Sequence, residues 1–221
     1  MKQFFTCGLM LLLCVPVELF AQQRVLSEAT IYYAIRIESG SGAAMNRSEV
    51  IDQATGTVYV RGSESRTDLV SALGSESVFH DARTNVAAIL KEYSGQKLRI
   101  DLTSEDWLHR NRRFDGVTYT LLAEEKSILN QPCKKASAQL KDGSNVTVFY
   151  ATQVNMLNKE YDPTFKSLPG IPLYYEVTTA KMKVIYAATQ LDLTPIATSR
   201  FEIPRNGYRV MPYRETLRGK E

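Results

Sequence analysis

The chain has 221 residues, of which 44% are hydrophobic, 10% aromatic and 23% charged. That composition excludes disorder, collagen-like repeats and a multi-span membrane protein, and suits one globular domain that buries about 70% of its unfolded surface. Twenty-seven Lys and Arg against 24 Asp and Glu leave a net charge of +3, too small to imply nucleic acid as a partner.

The amino terminus reads as an address. Lys2 precedes an apolar run from Phe4 to Val15, followed by Pro16 and then Phe20-Ala21-Gln22-Gln23. One positive charge, a short apolar core, a breaker and a small residue describe a signal peptide over residues 1–21, cleaved after Ala21. The run is too short to span a bilayer, which takes about 20 apolar residues. A lipid anchor at Cys14 is the alternative, although Leu11-Leu12-Leu13 lacks a small residue directly before the cysteine. The expected mature chain is 22–221, a single antiparallel β domain without a transmembrane segment, periplasmic or secreted. Cys7 and Cys14 leave with the signal, so Cys133 has no intramolecular partner and is expected as a small buried hydrophobe on a strand.

Period-2 alternation dominates the rest of the chain. Ile31, Tyr33, Ile35 and Ile37 share one strand face, with Tyr32, Ala34, Arg36 and Glu38 on the other. A weak helix candidate covers Ala44 to Ala54. Val58 and Val60 alternate with Tyr59 and Arg61, and Ser94-Gly95 joins runs 86–93 and 96–102 as a hairpin. His80 lies in an alternating run and is expected as an exposed strand residue. The main helix candidate is Thr103 to Arg112, capped by Thr103 with Asp106 three residues on, and with Trp107 and Leu108 facing inward. Asp142-Gly143 separates runs 134–140 and 145–154 and favours a type I′ turn. Runs 173–179, 182–193 and 197–203 continue the pattern, and Asn206-Gly207 offers a last turn.

About ten strands on one sheet twist and curl. The expected fold is therefore mainly β, a single curved antiparallel sheet resembling a half-barrel with one or two short helices. A two-sheet β-sandwich explains the alternation equally well.

Catalytic constellations are sparse. His80 and His109 lie far apart, and no paired cysteines, His-Glu-x-x-His, Gly-rich phosphate loop or Gly-x-Ser-x-Gly elbow occurs. Glu105-Asp106 and Glu124-Glu125 are adjacent pairs, and neighbours on a strand point to opposite faces. The basic run His109 to Arg113 suits a helix C-terminus. No catalytic residue, metal or cofactor is expected. The carboxy-terminal aromatics signify core, or a ligand pocket if several converge on one cavity. Tyr150, Tyr174, Tyr175 and Tyr186 are the candidates to line one.

Three ordered segments carry a family resemblance. They are Ile128-Leu129-Asn130-Gln131-Pro132-Cys133-Lys134-Lys135-Ala136, Ser167-Leu168-Pro169-Gly170-Ile171-Pro172, and Phe201-Glu202-Ile203-Pro204 with Gly207-Tyr208. Across residues 128–208 the chain resembles the GLPGLI family of exported Bacteroidota proteins, with Val58 to Arg66 fitting its amino-terminal half more loosely. The signature's first glycine is Ser167 here and its last two positions are Ile171 and Pro172, so Leu-Pro-Gly alone is identical. The resemblance implies a periplasmic or secreted β-rich protein, similar to LolA-type half-barrels that hold acyl chains in a hydrophobic hollow. No catalytic residues come with it. Leu168-Pro169-Gly170 suits a type II turn with Gly170 at positive φ, either purely structural or a binding loop. Pro172, lacking an amide donor, is expected at a strand start or an edge. The functional expectation is a non-enzymatic envelope protein binding a lipid or other hydrophobic molecule. The alternative is a module that engages another envelope protein through a sheet edge or aromatic patch.

Overall fold

The structure is a computed structural model, and it describes residues 23–39 and 54–217. The signal segment and nearly all of the helix candidate at 44–54 lie outside the described residues; Ala54 itself opens a strand.

The alternating runs form strands β1 (Arg24–Leu26), β2 (Glu28–Ser39), β3 (Ala54–Arg61), β4 (Glu64–Ser71), β5 (Gly74–Asp81), β6 (Val86–Tyr93) and β7 (Gln96–Leu102). Helix α1 (Ser104–Asn111) follows, then β8 (Thr120–Ile128), β9 (Gln131–Gln139), β10 (Asn145–Ala151) and β11 (Val154–Met156). The last strands are β12 (Ile171–Thr178), β13 (Met182–Asp192) and β14 (Arg209–Val210). Twelve of them make one curved, unclosed sheet in the order β14-β7-β6-β5-β4-β3-β2-β13-β12-β10-β9-β8. Pairing is antiparallel except where β14 runs parallel to β7. This is the expected half-barrel-like sheet and not the sandwich. Short parallel strands β1 and β11 pair separately and place Leu26, Val154 and Met156 in the main core.

Two meanders meet at one seam. Strands β2 to β7 follow each other across the sheet, as do β8, β9 and β10. Register pairs such as Ile31 with Leu191 and Ile35 with Tyr186 join β2 to β13. The face bearing Tyr33 and Ile35 on β2 continues through Val58, Val78 and Ile89 to Ile100.

Turn chemistry explains the hairpins, with one correction. Ser94 (φ 50) and Gly95 (φ 75) form the expected tight turn, and Leu129 (φ 51) with Asn130 (φ 59) makes another between β8 and β9. At Asp142-Gly143 only Gly143 is left-handed (φ 82). Gly143 N donates to Leu140 O at 3.0 Å and Leu140 N to Ser144 O at 2.8 Å, a longer loop than type I′. The Asp142 side chain explains the choice, because it accepts from Ser144 N at 3.0 Å and holds the wider turn.

The run 197–203 is not a strand. Thr198–Phe201 forms a 3-10 turn instead, on the convex face. There the Arg200 guanidinium lies 5.0 Å from the Tyr59 ring, Arg66 donates to Arg200 O at 2.9 Å, and Arg99 donates to Pro204 O at 3.1 Å. The chain then rounds the sheet edge as β14 and returns Tyr213 to the concave face against Ala87, Ile89, Ile100 and Leu102.

Candidate functional site

Helix α1 forms where expected, and its start is fixed by chemistry. The Thr103 side chain accepts from Asp106 N at 3.1 Å while Asp106 accepts from Thr103 N at 3.1 Å, a reciprocal capping box. Residues 107, 110, 111 and 114 recur at helical spacing, so Trp107, Arg110, Asn111 and Phe114 all turn toward the sheet and line one cavity. Leu108 does not face inward as expected; it is 71% exposed, since it lies one residue off that stripe. A second roof comes from 3-10 turns Lys159–Tyr161 and Pro163–Phe165. Asn158 and Asp162 cap them, accepting from Glu160 N at 3.0 Å and Thr164 N at 2.9 Å.

Beneath these roofs lies a hollow of about 280 Å³. Its floor and walls come from β2, β3, β4, β5, β12 and β13, through Tyr33, Val58, Thr67, Val78, Tyr175 and Tyr186. Strands so far apart in the sheet order share one cavity because the sheet bends around it. A wider groove of about 770 Å³ adjoins it, and Trp107, Asn111, Phe114 and Pro163 line both.

Aromatic packing builds one wall. Tyr175 stands opposite Tyr186 in the β12–β13 register, and the rings stack at 4.3 Å and 9°. Tyr33 meets Tyr175 edge-on at 5.7 Å, and Phe165 does so at 4.8 Å. The Tyr33 hydroxyl donates to Pro172 O at 2.7 Å, tying the start of β12 to β2. Pro172 is the second residue of its strand, beside a register shift, as its missing donor requires.

The opposite wall contains His80, where the sequence expectation is again corrected. The alternation predicts an exposed residue, yet the side chain is 6% exposed and stacks on Trp107 at 4.1 Å and 9°. The reason is that α1 covers this face of β5 through Trp107 while Phe79 on the other face lies buried beneath Arg66, so its alternation separates two covered faces rather than a wet one and a dry one. Burial pushes the imidazole pKa down, which favours the neutral ring. The ring nitrogens make no well-formed hydrogen bond, although the Glu160 backbone lies close enough to oppose that shift, and the buried Tyr161 hydroxyl has no partner. Burial also raises the pKa of Asp162, against the backbone and side-chain bonds from Thr164 that lower it. Desolvation raises the phenols of Tyr33, Tyr161, Tyr175 and Tyr186, which therefore stay protonated.

Of the four tyrosines that the sequence offers for a lining role, Tyr175 and Tyr186 border the hollow. Tyr150 is packed in a neighbouring apolar cluster with Phe165 and Leu168. Tyr174 turns to the other face, against Phe149 and Lys126, and donates to Glu176 at 2.6 Å. Sequence reasoning turns Trp107 inward without assigning it to a site, and it misses His80, Tyr161 and Asp162. The 107-110-111-114 stripe is a readable signal for the first, whereas the others depend on how the sheet curls.

Leu168 is buried, and Pro169 O accepts from Gln23 Nε2 at 2.7 Å and Asn155 Nδ2 at 3.4 Å. Gly170 is not among the described residues with positive φ, so the type II turn does not form. Its glycine is required by a close approach of backbone instead. Cys133 is buried on β9, with its thiol donating to Gln131 O at 3.3 Å. Among the described residues, no three His, Cys, Asp or Glu side chains gather as a metal site, and no helix is long and apolar enough to cross a membrane.

No family model and no curated protein matches the chain. Solved structures do. PNGF-II is 12% identical, matching 86% of this chain and 32% of its own, at a TM-score of 0.48. An uncharacterized conserved protein from Thermus thermophilus is 9% identical over 85% of this chain and 91% of its own, at 0.47. A LolA superfamily protein from Nitrosomonas europaea is 11% identical over 82% and 92%, at 0.37. The chain thus spans about a third of PNGF-II. All three scores lie below 0.5, and no activity of these proteins follows for this chain.

Proposed function

We propose that this chain is an exported, non-enzymatic envelope protein of the GLPGLI type, acting in the periplasm or after secretion, that holds a lipid or other hydrophobic ligand. The observation that carries this reading is the roofed hollow, walled by Tyr33, Tyr175, Tyr186, Trp107 and Phe114 and continuous in its lining with the wider groove. Concave, largely apolar sites with a few polar groups are where small ligands bind. The signal-like amino terminus and the resemblance over residues 128–208 support the location and the family. Protein purified from its native envelope and extracted with organic solvent should release an apolar molecule at near one per chain, identified by mass spectrometry. An empty extract from folded protein would refute the reading.

One observation favours the interaction module as a second reading. Strand β8 ends the sheet, eight of its nine residues are exposed, and Leu121 and Leu122 are among them. An open edge of this length can add a strand from a partner. A stoichiometric protein co-purifying with a lipid-free chain, and lost on Leu122→Lys, would favour it.

A further inference from the structure

Resting on the ligand-binding reading above, we infer that the hollow takes an uncharged ligand, such as an alcohol, an ester or a polycyclic apolar molecule, and discriminates against anionic amphiphiles.

The geometry is one of charges already spent. Among the described residues lining the hollow, Glu76 meets Lys91 at 2.9 Å and Arg110 at 3.0 Å, and Asp68 meets Arg66 at 2.7 Å. Arg113 lies 3.6 Å from Asp142 and covers the Phe114 ring at 4.5 Å. Asp162 accepts from the Thr164 amide. A carboxylate or phosphate entering here finds both lining guanidiniums, Arg110 and Arg113, already facing a carboxylate, and it approaches the Asp162 carboxyl. The anion loses its water without gaining a counter-charge of its own, a loss that a neutral molecule does not suffer.

The remaining polar surface is neutral. The phenols of Tyr33, Tyr161, Tyr175 and Tyr186 keep their protons and His80 favours its uncharged form. These groups donate and accept hydrogen bonds, which suits a hydroxyl or carbonyl and offers an ion little.

The test uses the full mature chain and the neutral fluorophore N-phenyl-1-naphthylamine, displaced at neutral pH by decanol or decanoate. Binding of the fluorophore, with decanol displacing it at concentrations about tenfold or more below decanoate, is the expected result. Glu76→Gln releases Arg110 and Lys91 and should narrow the decanol-to-decanoate ratio by about tenfold. Equal displacement by decanol and decanoate overturns the inference while leaving hydrophobic binding in place. An unchanged ratio in folded Glu76→Gln also overturns it. No fluorophore binding at all refutes the ligand-binding reading itself, and the inference with it. Should Glu76→Gln fail to fold, the wild-type comparison alone decides.

Discussion

A Cβ built on Gly170 would stand 2.0 Å from the carbonyl oxygen of Ala151, and 2.8 Å from the Tyr150 ring. The two residues belong to adjoining segments, because Ala151 lies opposite Ile171 at the start of β12. Glycine is needed here for space, not for a left-handed backbone. Gly170→Ala should therefore cost about 1–3 kcal/mol by overpacking, and Gly170→Asn should be no milder. Thermal unfolding checks both. An Asn variant as stable as wild type would restore the positive-φ explanation.

The Tyr161 hydroxyl is buried without a partner, so removing it removes a desolvation penalty. Tyr161→Phe should leave stability unchanged or raise it by about 1 kcal/mol in ligand-free protein. A clear fall in urea midpoint would mean that the hydroxyl is satisfied after all.

His80 makes stability depend on pH. Its folded pKa lies below the ordinary histidine value of about 6.5, so the unfolded chain takes up the proton first as pH falls. Stability contributed by the neutral ring is complete above about pH 6.5 and is lost as pH drops from there through the folded pKa. His80→Phe keeps a flat ring against Trp107 and removes this titration. Between pH 7.5 and 5.5 the urea midpoint should fall further for wild type than for the variant, and parallel losses would contradict the assignment.

Burial also pushes the Cys133 thiol pKa up, leaving less thiolate. In native protein Cys133 should react with maleimide far more slowly than free cysteine, and at the ordinary rate in denaturant. Fast native labelling would show that β9 opens readily.

The sheet is legible in the sequence because alternation is a local property. Tyr33 and Ile35 declare one face of β2 without reference to any neighbour, and Thr103 with Asp106 declares the start of α1 in four residues. His80 defeats the same reasoning because what covers its strand face is decided by α1, which begins 24 residues later. Run 197–203 alternates like a strand, yet Arg200 and Phe201 pack on the convex face, where no ladder partner is available. The need for glycine at 170 is readable from Pro-Gly, but its cause is not, since the obstructing Ala151 carbonyl is set by pairing. At the site, chemistry alone points equally to Tyr150, Tyr174, Tyr175 and Tyr186, and only Tyr175 and Tyr186 border the hollow, while Tyr174 faces away as its parity on β12 demands. The hollow itself exists only once the sheet bends.

The seam between β2 and β13 has a kinetic consequence. Each meander can zip hairpin by hairpin from neighbours in the chain, but Ile31 must wait for Leu191 before its second edge is covered. Closing so long a loop is entropically late and slow compared with local pairing. A chain threaded out amino terminus first would thus hold β2 half-finished until nearly all of it had emerged. Its hollow, which needs Tyr33 from one side of the seam and Tyr186 from the other, would be the last part to acquire walls. Release of the finished protein and readiness to bind would then coincide.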